Sequence, residues 1–333
     1  MRLSVLDQSP VSEGSTGADA LRNTLDLARL ADRLGYERYW LAEHHGLSLA
    51  GPSPEVLIGP VAAATERIRV GSGGVMLPHY SPYKVAENFS LLAALYPGRI
   101  DLGIGRASGT DPLTAYALQR DRRQVAPDDF PQQLAELLAH YDHSFPADHP
   151  FARLGYALPG GEARPEIWLL GSSAQSAEWA AQLALPYAFA DFINPHGAEI
   201  MASYRARGEH PRAAVGVWAI CADSDEEGER LASSIAMSMA MLRQNRPIPV
   251  PPPEKALRYL AQNPAPPGRR RIVGSPETVR AGIENVAAQY GVDEVIVVTI
   301  TYDHGARRRS YELIAEAFGI APRSAPMPTA VDL

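Results

Sequence analysis

The chain has 333 residues, of which 46% are hydrophobic, enough for a sizeable core, and α/β barrels of this length commonly form one domain. A formal net charge of −7 argues against a nucleic-acid surface, and the basic runs Arg269-Arg270-Arg271 and Arg307-Arg308-Arg309 are expected to be solvated helix or loop edges. Cys221 is the single cysteine, which excludes an intrachain disulfide and a multi-cysteine metal site; no apolar stretch approaches a membrane span and the N-terminus reads directly as a strand, so a soluble, cytoplasmic protein without a membrane partner is expected.

Leu3 to Leu6 reads as a short buried strand that ends in the turn residues Asp7-Gln8-Ser9-Pro10. Ala18 to Leu34 sets Leu21, Leu25, Ala28 and Leu34 near helical spacing, with Gly35 placed to end the helix. Arg38 to Ala42 is a second strand, terminating in Glu43-His44-His45-Gly46. A carboxylate and two imidazoles at a strand end suit a metal site, a structural histidine pair or the polar wall of an active site. Adjacent histidines on an extended chain point to opposite sides, and no His-Glu-x-x-His or Cys-x-x-Cys partner accompanies them, so the active-site wall is preferred and no metal ligand is assigned. Pro54 to Thr65 is a helix of small apolar residues with Ser53 as N-cap and Pro54 in its first position; Gly59-Pro60 predicts a kink or break, and the apolarity suits contact with another subunit as well as with a barrel.

From Ile68 to Asp111 the pattern is one β-α-β unit: an apolar β-branched run, an amphipathic run from Tyr83 to Leu95, and a second apolar run from Ile100 to Ile104. Neither strand alternates cleanly, as parallel strands covered on both faces do not. Gly71, Gly73 and Gly74 crowd the end of the first strand and Gly103, Gly105, Arg106, Ser108 and Gly109 the end of the second, which reads as backbone kept bare for something flat or anionic. Thr110 to Tyr141 is mostly helical with a break at Phe130-Pro131, and His143 to Arg164 is a polar surface insertion.

Ile167 to Leu170 is a further strand, ending in Gly171-Ser172-Ser173-Ala174-Gln175-Ser176 at the start of a helix. Clustered serines before a helix suit either an N-cap or an anion site; Arg106 at the end of the preceding strand tips the balance to the anion. Strands at Tyr187 to Ala190, Ala214 to Ala222 and Glu294 to Thr299 follow, the last two separated by a proline-dense segment, 246–267, that reads as a lid or tether over a barrel mouth. Eight strands with intervening helices give a (β/α)₈ barrel of TIM type with insertions at its carboxyl-terminal face, one domain over 1–320 and a frayed tail over 321–333.

With these pieces in order, the chain resembles the bacterial luciferase-like flavin-dependent oxidoreductases. LSVLDQSP, RYWLAEHHG, IRVGSGGVMLP, YPGRIDLGIGRASGTD, IWLLGSSAQSAEWAAQLALP and IVGSPETV carry the resemblance. It implies reduced FMN held at the carboxyl ends of the strands and reacting with O₂. Carried over position by position, it implies that Gly73-Gly74 form the bulge under the flavin ring, where a non-prolyl cis peptide is typical. Glu43 and His44 fall beside the ring's reactive edge, with His44 as acid/base group and Glu43 orienting it, and Arg106, Ser172, Ser173 and Ser176 fall at phosphate-binding positions. Luciferase itself has a cysteine in place of Gly105, an acid in place of Ser172 and a flavin-adjacent tryptophan near Asp191, so light emission is not implied. No Gly-x-Gly-x-x-Gly fingerprint follows a strand, so the reductant is expected from a separate NAD(P)H flavin reductase. A small-molecule substrate and a homodimer are expected; a deazaflavin-dependent reductase and a non-catalytic flavin-binding protein are the alternatives.

Overall fold

The computed structural model describes residues 1–106, 111–123, 128–207, 212–264 and 269–321. Ser108, Gly109, Pro266, Pro267 and the tail beyond residue 321 lie outside them. Among the described residues nine strands run in chain order: β1 (Arg2–Asp7), β2 (Arg38–Leu41), β3 (Arg69–Met76), β4 (Ile100–Gly105), β5 (Glu166–Gly171), β6 (Tyr187–Ala190), β7 (Ala213–Cys221), β8 (Ile272–Gly274) and β9 (Glu294–Val298). The sheet order is β6-β5-β4-β3-β2-β1-β9-β7, and pairing of β6 with β7 closes it. All pairs in this ring are parallel, so eight strands form the expected barrel with the helices around it.

The ninth strand was not read from the sequence. β8 pairs with Ala219–Cys221, beyond the point where β6 leaves β7 at Gly216. Three residues carry no periodicity to detect, and the sequence treats Val273-Gly274 only as the approach to a helix. The insertions do follow carboxyl ends, one between β4 and β5 and one between β7 and β8. Pro60 stays inside a continuous helix, Pro54–Ala63, where a kink or break was expected. Phe130-Pro131 also moves: it opens the helix Phe130–Asp142, with Pro131 in the first turn, where proline lacks no needed N–H. Ahead of it stands a separate short helix, Pro112–Leu118. Gly35 ends the helix Gly17–Leu34 in the left-handed conformation at φ 93°, as its placement predicts.

Two apolar clusters build the body. Leu3, Val5, Tyr39, Leu41, Val70, Leu102 and Val215 belong to the cluster shared with the surrounding helices, whereas Leu6, Trp40, Trp168, Ala188, Ala214 and Ile296 fill the inside. Trp40 and Trp168 meet edge to face at 5.5 Å. At the amino ends of the strands the barrel is plugged by ions instead: buried Arg38 donates to Glu294 and Asp101 at 2.8 Å each, and Arg69 donates to Asp101 at 2.8 Å.

At the other end Asp7 is buried at the close of β1, where Arg307 donates to it at 2.7 Å and Tyr39 and the Ser9 amide donate as well. Burial works to raise the Asp7 carboxyl, but the Arg307 guanidinium and these hydrogen bonds outweigh it and hold the group below the usual carboxylate range. Arg307 is therefore no solvated edge. It is buried, and its Nε also donates to the Thr299 carbonyl.

Candidate active site at the barrel mouth

The turn after β2 carries Glu43 into the mouth, fully buried. Its carboxylate accepts from the Met76 amide at the end of β3 at 2.8 Å, is 3.0 Å from His45 Nε2, and hydrogen-bonds the Tyr80 side chain. The structure sets the His45 imidazole on Glu43, a contact for which the resemblance gave no role, and Tyr80 joins it without any motif to announce it. His44 is half-buried, its amide donating to the Gly51 carbonyl at 3.1 Å. His79 stands edge to face with His45 at 6.0 Å. Glu55, in the first turn of Pro54–Ala63, completes this side; burial first, then the charge of Glu43, raises its carboxyl, and one of its oxygens is buried without a hydrogen-bond partner. Burial, and after it Glu43 and Glu55, also raise the Tyr80 hydroxyl, which stays a donor. Among the described residues no group of three or more His, Cys, Asp or Glu side chains gathers as a metal centre would require.

The Gly73–Gly74 peptide is cis, and the pairing of β3 with β4 shifts register between Gly73 and Val75, a bulge at the mouth. The glycines here are required by the protein itself. A Cβ on Gly73 would meet Leu6 Cδ1 at 2.6 Å, one on Gly74 the Gly103 carbonyl oxygen at 2.7 Å, and one on Gly103 the Ser72 carbonyl oxygen at 2.2 Å. Bare backbone at these strand ends is a condition of close strand packing, a cause the sequence reading assigned to a ligand alone.

β4 and β5 pair with Ile104 against Leu169, so Arg106 and Ser172-Ser173 emerge at the same end. The Arg106 guanidinium lies 5.7 Å from the ring of Trp179, on the helix Ala174–Gln182, and among the described residues no carboxylate pairs with it. Ser173 is the N-cap of that helix in a capping box with Ser176, whose hydroxyl donates to the Ser173 carbonyl at 2.9 Å and lies 2.8 Å from the Tyr187 hydroxyl. These two serines therefore hold the helix start, and Ser176 is buried. Ser172 is half-buried, with its carbonyl accepting from Asn194 at 3.0 Å. Asp191, close by at the end of β6, accepts from the Tyr290 hydroxyl at 2.8 Å, and burial raises its carboxyl.

Across the mouth, Trp218 of β7 stacks on Phe192 at 6.3 Å and carries Arg269 over its other surroundings at 5.5 Å. A cleft of about 820 Å³ opens beside it, between the helices Asp225–Arg243 and Pro253–Gln262. The proline-dense segment is tethered: Val250 exchanges backbone hydrogen bonds with Val11 and Glu13 in the loop after β1, and Lys255 reaches Glu13 at 2.6 Å.

A parallel barrel whose carboxyl-end loops gather a carboxylate–imidazole wall, a glycine bulge and, beside a helix start, a cation with no carboxylate partner among the described residues is an enzyme scaffold with its site in the mouth. The chain belongs to the luciferase-like monooxygenase family, whose model matches residues 1–294. It is 38% identical to an N-acetyl-S-alkylcysteine monooxygenase of Bacillus subtilis (strain 168), over 97% of this chain and 100% of the relative. The crystal structure of apo-MsnO8 is 42% identical and superposes with a TM-score of 0.88, covering 97% of this chain and 99% of that one. The FMN complex of the oxygenating constituent of 3,6-diketocamphane monooxygenase, a type II Baeyer–Villiger enzyme from Pseudomonas putida, shares the fold at 22% identity and a TM-score of 0.70, with 98% and 99% covered. Among the described residues no helix is long and apolar enough to cross a membrane.

Proposed function

We propose that this protein is an FMN-dependent monooxygenase that oxidises a small organic substrate, taking reduced FMN from a separate NAD(P)H flavin reductase in the cytoplasm. The observation that carries this reading is the pairing of the Gly73–Gly74 bulge with Arg106, a cation with no carboxylate partner among the described residues, at one end of a closed parallel barrel. The residues fit the cofactor: the bulge offers a flat platform, and Arg106 with Ser172 and the start of the helix Ala174–Gln182 offers donors and positive charge to a phosphate. A relative that is a monooxygenase and a fold neighbour crystallised with FMN support the same assignment.

When bound, reduced FMN supplies the activation of O₂, which no side chain can supply. The protein's share is to place, to dry and to move protons. Arg106 would hold the phosphate end and the Gly73-Gly74 bulge would support the ring, while Trp218, Phe192 and the stretch tethered at Val250 would limit bulk water at the mouth. His44 is the candidate acid/base group of this wall, and Glu43 holds the neighbouring His45 imidazole. Exposed Val56, Leu91 and Leu95 on the helices Pro54–Ala63 and Pro82–Leu95 offer an apolar face for a homodimer.

Equilibrium titration with FMN tests the assignment. The parent should bind FMN, and Arg106→Ala should bind it about ten- to a hundred-fold more weakly, the worth of a charge-assisted hydrogen bond. Unchanged affinity would remove Arg106 from the phosphate site. A parent that ignores FMN and binds a deazaflavin, or that binds FMN without substrate-dependent O₂ uptake, would overturn the monooxygenase.

A further inference from the structure

We infer that the cleft beside Trp218 is where the substrate's anionic end is held, so that the substrate is a small organic acid with an apolar body. This deepens the oxygenase reading and rests on it for the identity of the bound molecule as substrate. Three observations converge on the assignment.

Charge is the first. The cleft is lined by arginines and by acids, but they are not evenly matched. Arg230 is paired with Glu227 and Glu254, and Arg271 with Glu229. Among the described residues neither Arg243 nor Arg269 has a carboxylate partner, and both line the cleft. Among the described residues Arg269 is held by soft groups: its guanidinium lies 5.5 Å from the Trp218 ring and its Nη1 4.0 Å from Met239 Sδ. Arg243 is one helical turn beyond Met239 on Asp225–Arg243, which brings the two guanidiniums to the same end of the cleft. Partial burial, and then the like charge of Arg243, push Arg269 down from its ordinary value, as expected of two neighbouring cations. Placement of Arg243 in the last helical turn accounts for that residue alone. It does not explain why Arg269 sits beside it.

The second observation is an unmet donor. Trp218 Nε1 is buried and, among the described residues, has no hydrogen-bond partner. Indole N–H and guanidinium groups only donate, so Trp218 at the cleft wall and the two arginines in the lining all call for an acceptor, which a carboxylate would supply. The rest of the lining, Ile235, Met239, Leu257 and Leu260, suits a hydrocarbon or thioether body.

Position is the third. In the closed strand order β3 and β7 lie four strands apart, on opposite sides of an eight-stranded ring. Trp218 thus stands on the strand opposite the one that carries the Gly73–Gly74 bulge, and a molecule anchored at Arg269 would have to pass Trp218 to reach it.

The test uses the full-length protein and one matched pair of probes, 4-phenylbutanoate and 4-phenylbutanamide, titrated calorimetrically with and without FMN. The acid should bind the parent at least about tenfold more tightly than the amide, the discrimination a charge-assisted contact gives. Arg269→Gln and Arg243→Gln should each abolish most of that preference, Arg269→Lys should retain part of it, and Arg22→Gln, far from the cleft, should leave it intact. Melting temperatures on the same samples, with FMN affinity, show that the variants are folded. Acid and amide that bind alike, or that both fail to bind, would overturn the inference, as would a preference that survives Arg243→Gln and Arg269→Gln combined. A parent that selects the acid but does not bind FMN would leave the anion site standing and remove the flavin. A parent that binds FMN but treats the two probes alike would do the reverse.

Discussion

Glu43 accepts from His45 and from the Met76 amide, so the carboxylate is the fixed point of its wall. If His44 handles a proton in turnover, His44→Ala should cut substrate-dependent O₂ uptake by about 10²–10⁴ while FMN affinity holds. A structural histidine would show the converse, a lowered melting temperature with normal turnover in the folded fraction. Asp7 makes a second prediction, this one about pH. Its folded-state carboxyl is held low by Arg307 against the effect of burial, so its stabilisation is complete above the unfolded value of about 3.9 and is lost as pH falls through the folded value. Asp7→Asn strands a buried guanidinium, which should cost about 3–5 kcal/mol at pH 7. In urea titrations from pH 7 down to pH 3, the gap between parent and variant should stay level and then narrow below about pH 4.

The helix Ala174–Gln182 separates two duties that its sequence merges. Ser172, Ser173 and Ser176 stand together in one short run, and a serine before a helix is equally good as cap or as anion donor. Packing divides them: Ser173 and Ser176 close the capping box and Ser176 also meets Tyr187, while Ser172 lies outside that box. Ser176→Ala should therefore lower stability by about 1 kcal/mol and move FMN affinity by no more than ~2-fold. Ser172→Ala should weaken FMN with no change in melting temperature. Parallel thermal melts and flavin titrations of the two variants would reveal either assignment to be reversed. Long apolar strands and helix punctuation were legible because each has a local cause, a run, a cap or a Gly35. β8 was not, because its existence depends on the upper half of β7 being left without β6. Tyr80, Trp218 and Arg269 escaped for the same reason: each matters through a neighbour distant in the chain.

At the scale of the molecule, barrel closure was readable from the count and spacing of strands, but the ion cluster that plugs it was not. Arg38, Asp101 and Glu294 are 63 and 256 residues apart along the chain from Arg38, and each looks like an ordinary strand-end charge. Arg38→Met should lower the unfolding free energy by about 3–5 kcal/mol in urea at pH 7, since buried Glu294 loses its closest counter-ion and Asp101 is left with Arg69 and Trp40 alone among the described residues. A change under 1 kcal/mol would show that water reaches the plug. The same long reach bears on how the molecule is born. β1 needs β9 as its neighbour, and Asp7 needs Arg307. As the chain emerges from the ribosome, the first strand therefore has one bare edge and an uncompensated charge until nearly the last helix has been made. Synthesis, not only sequence, must keep that edge from finding another partner.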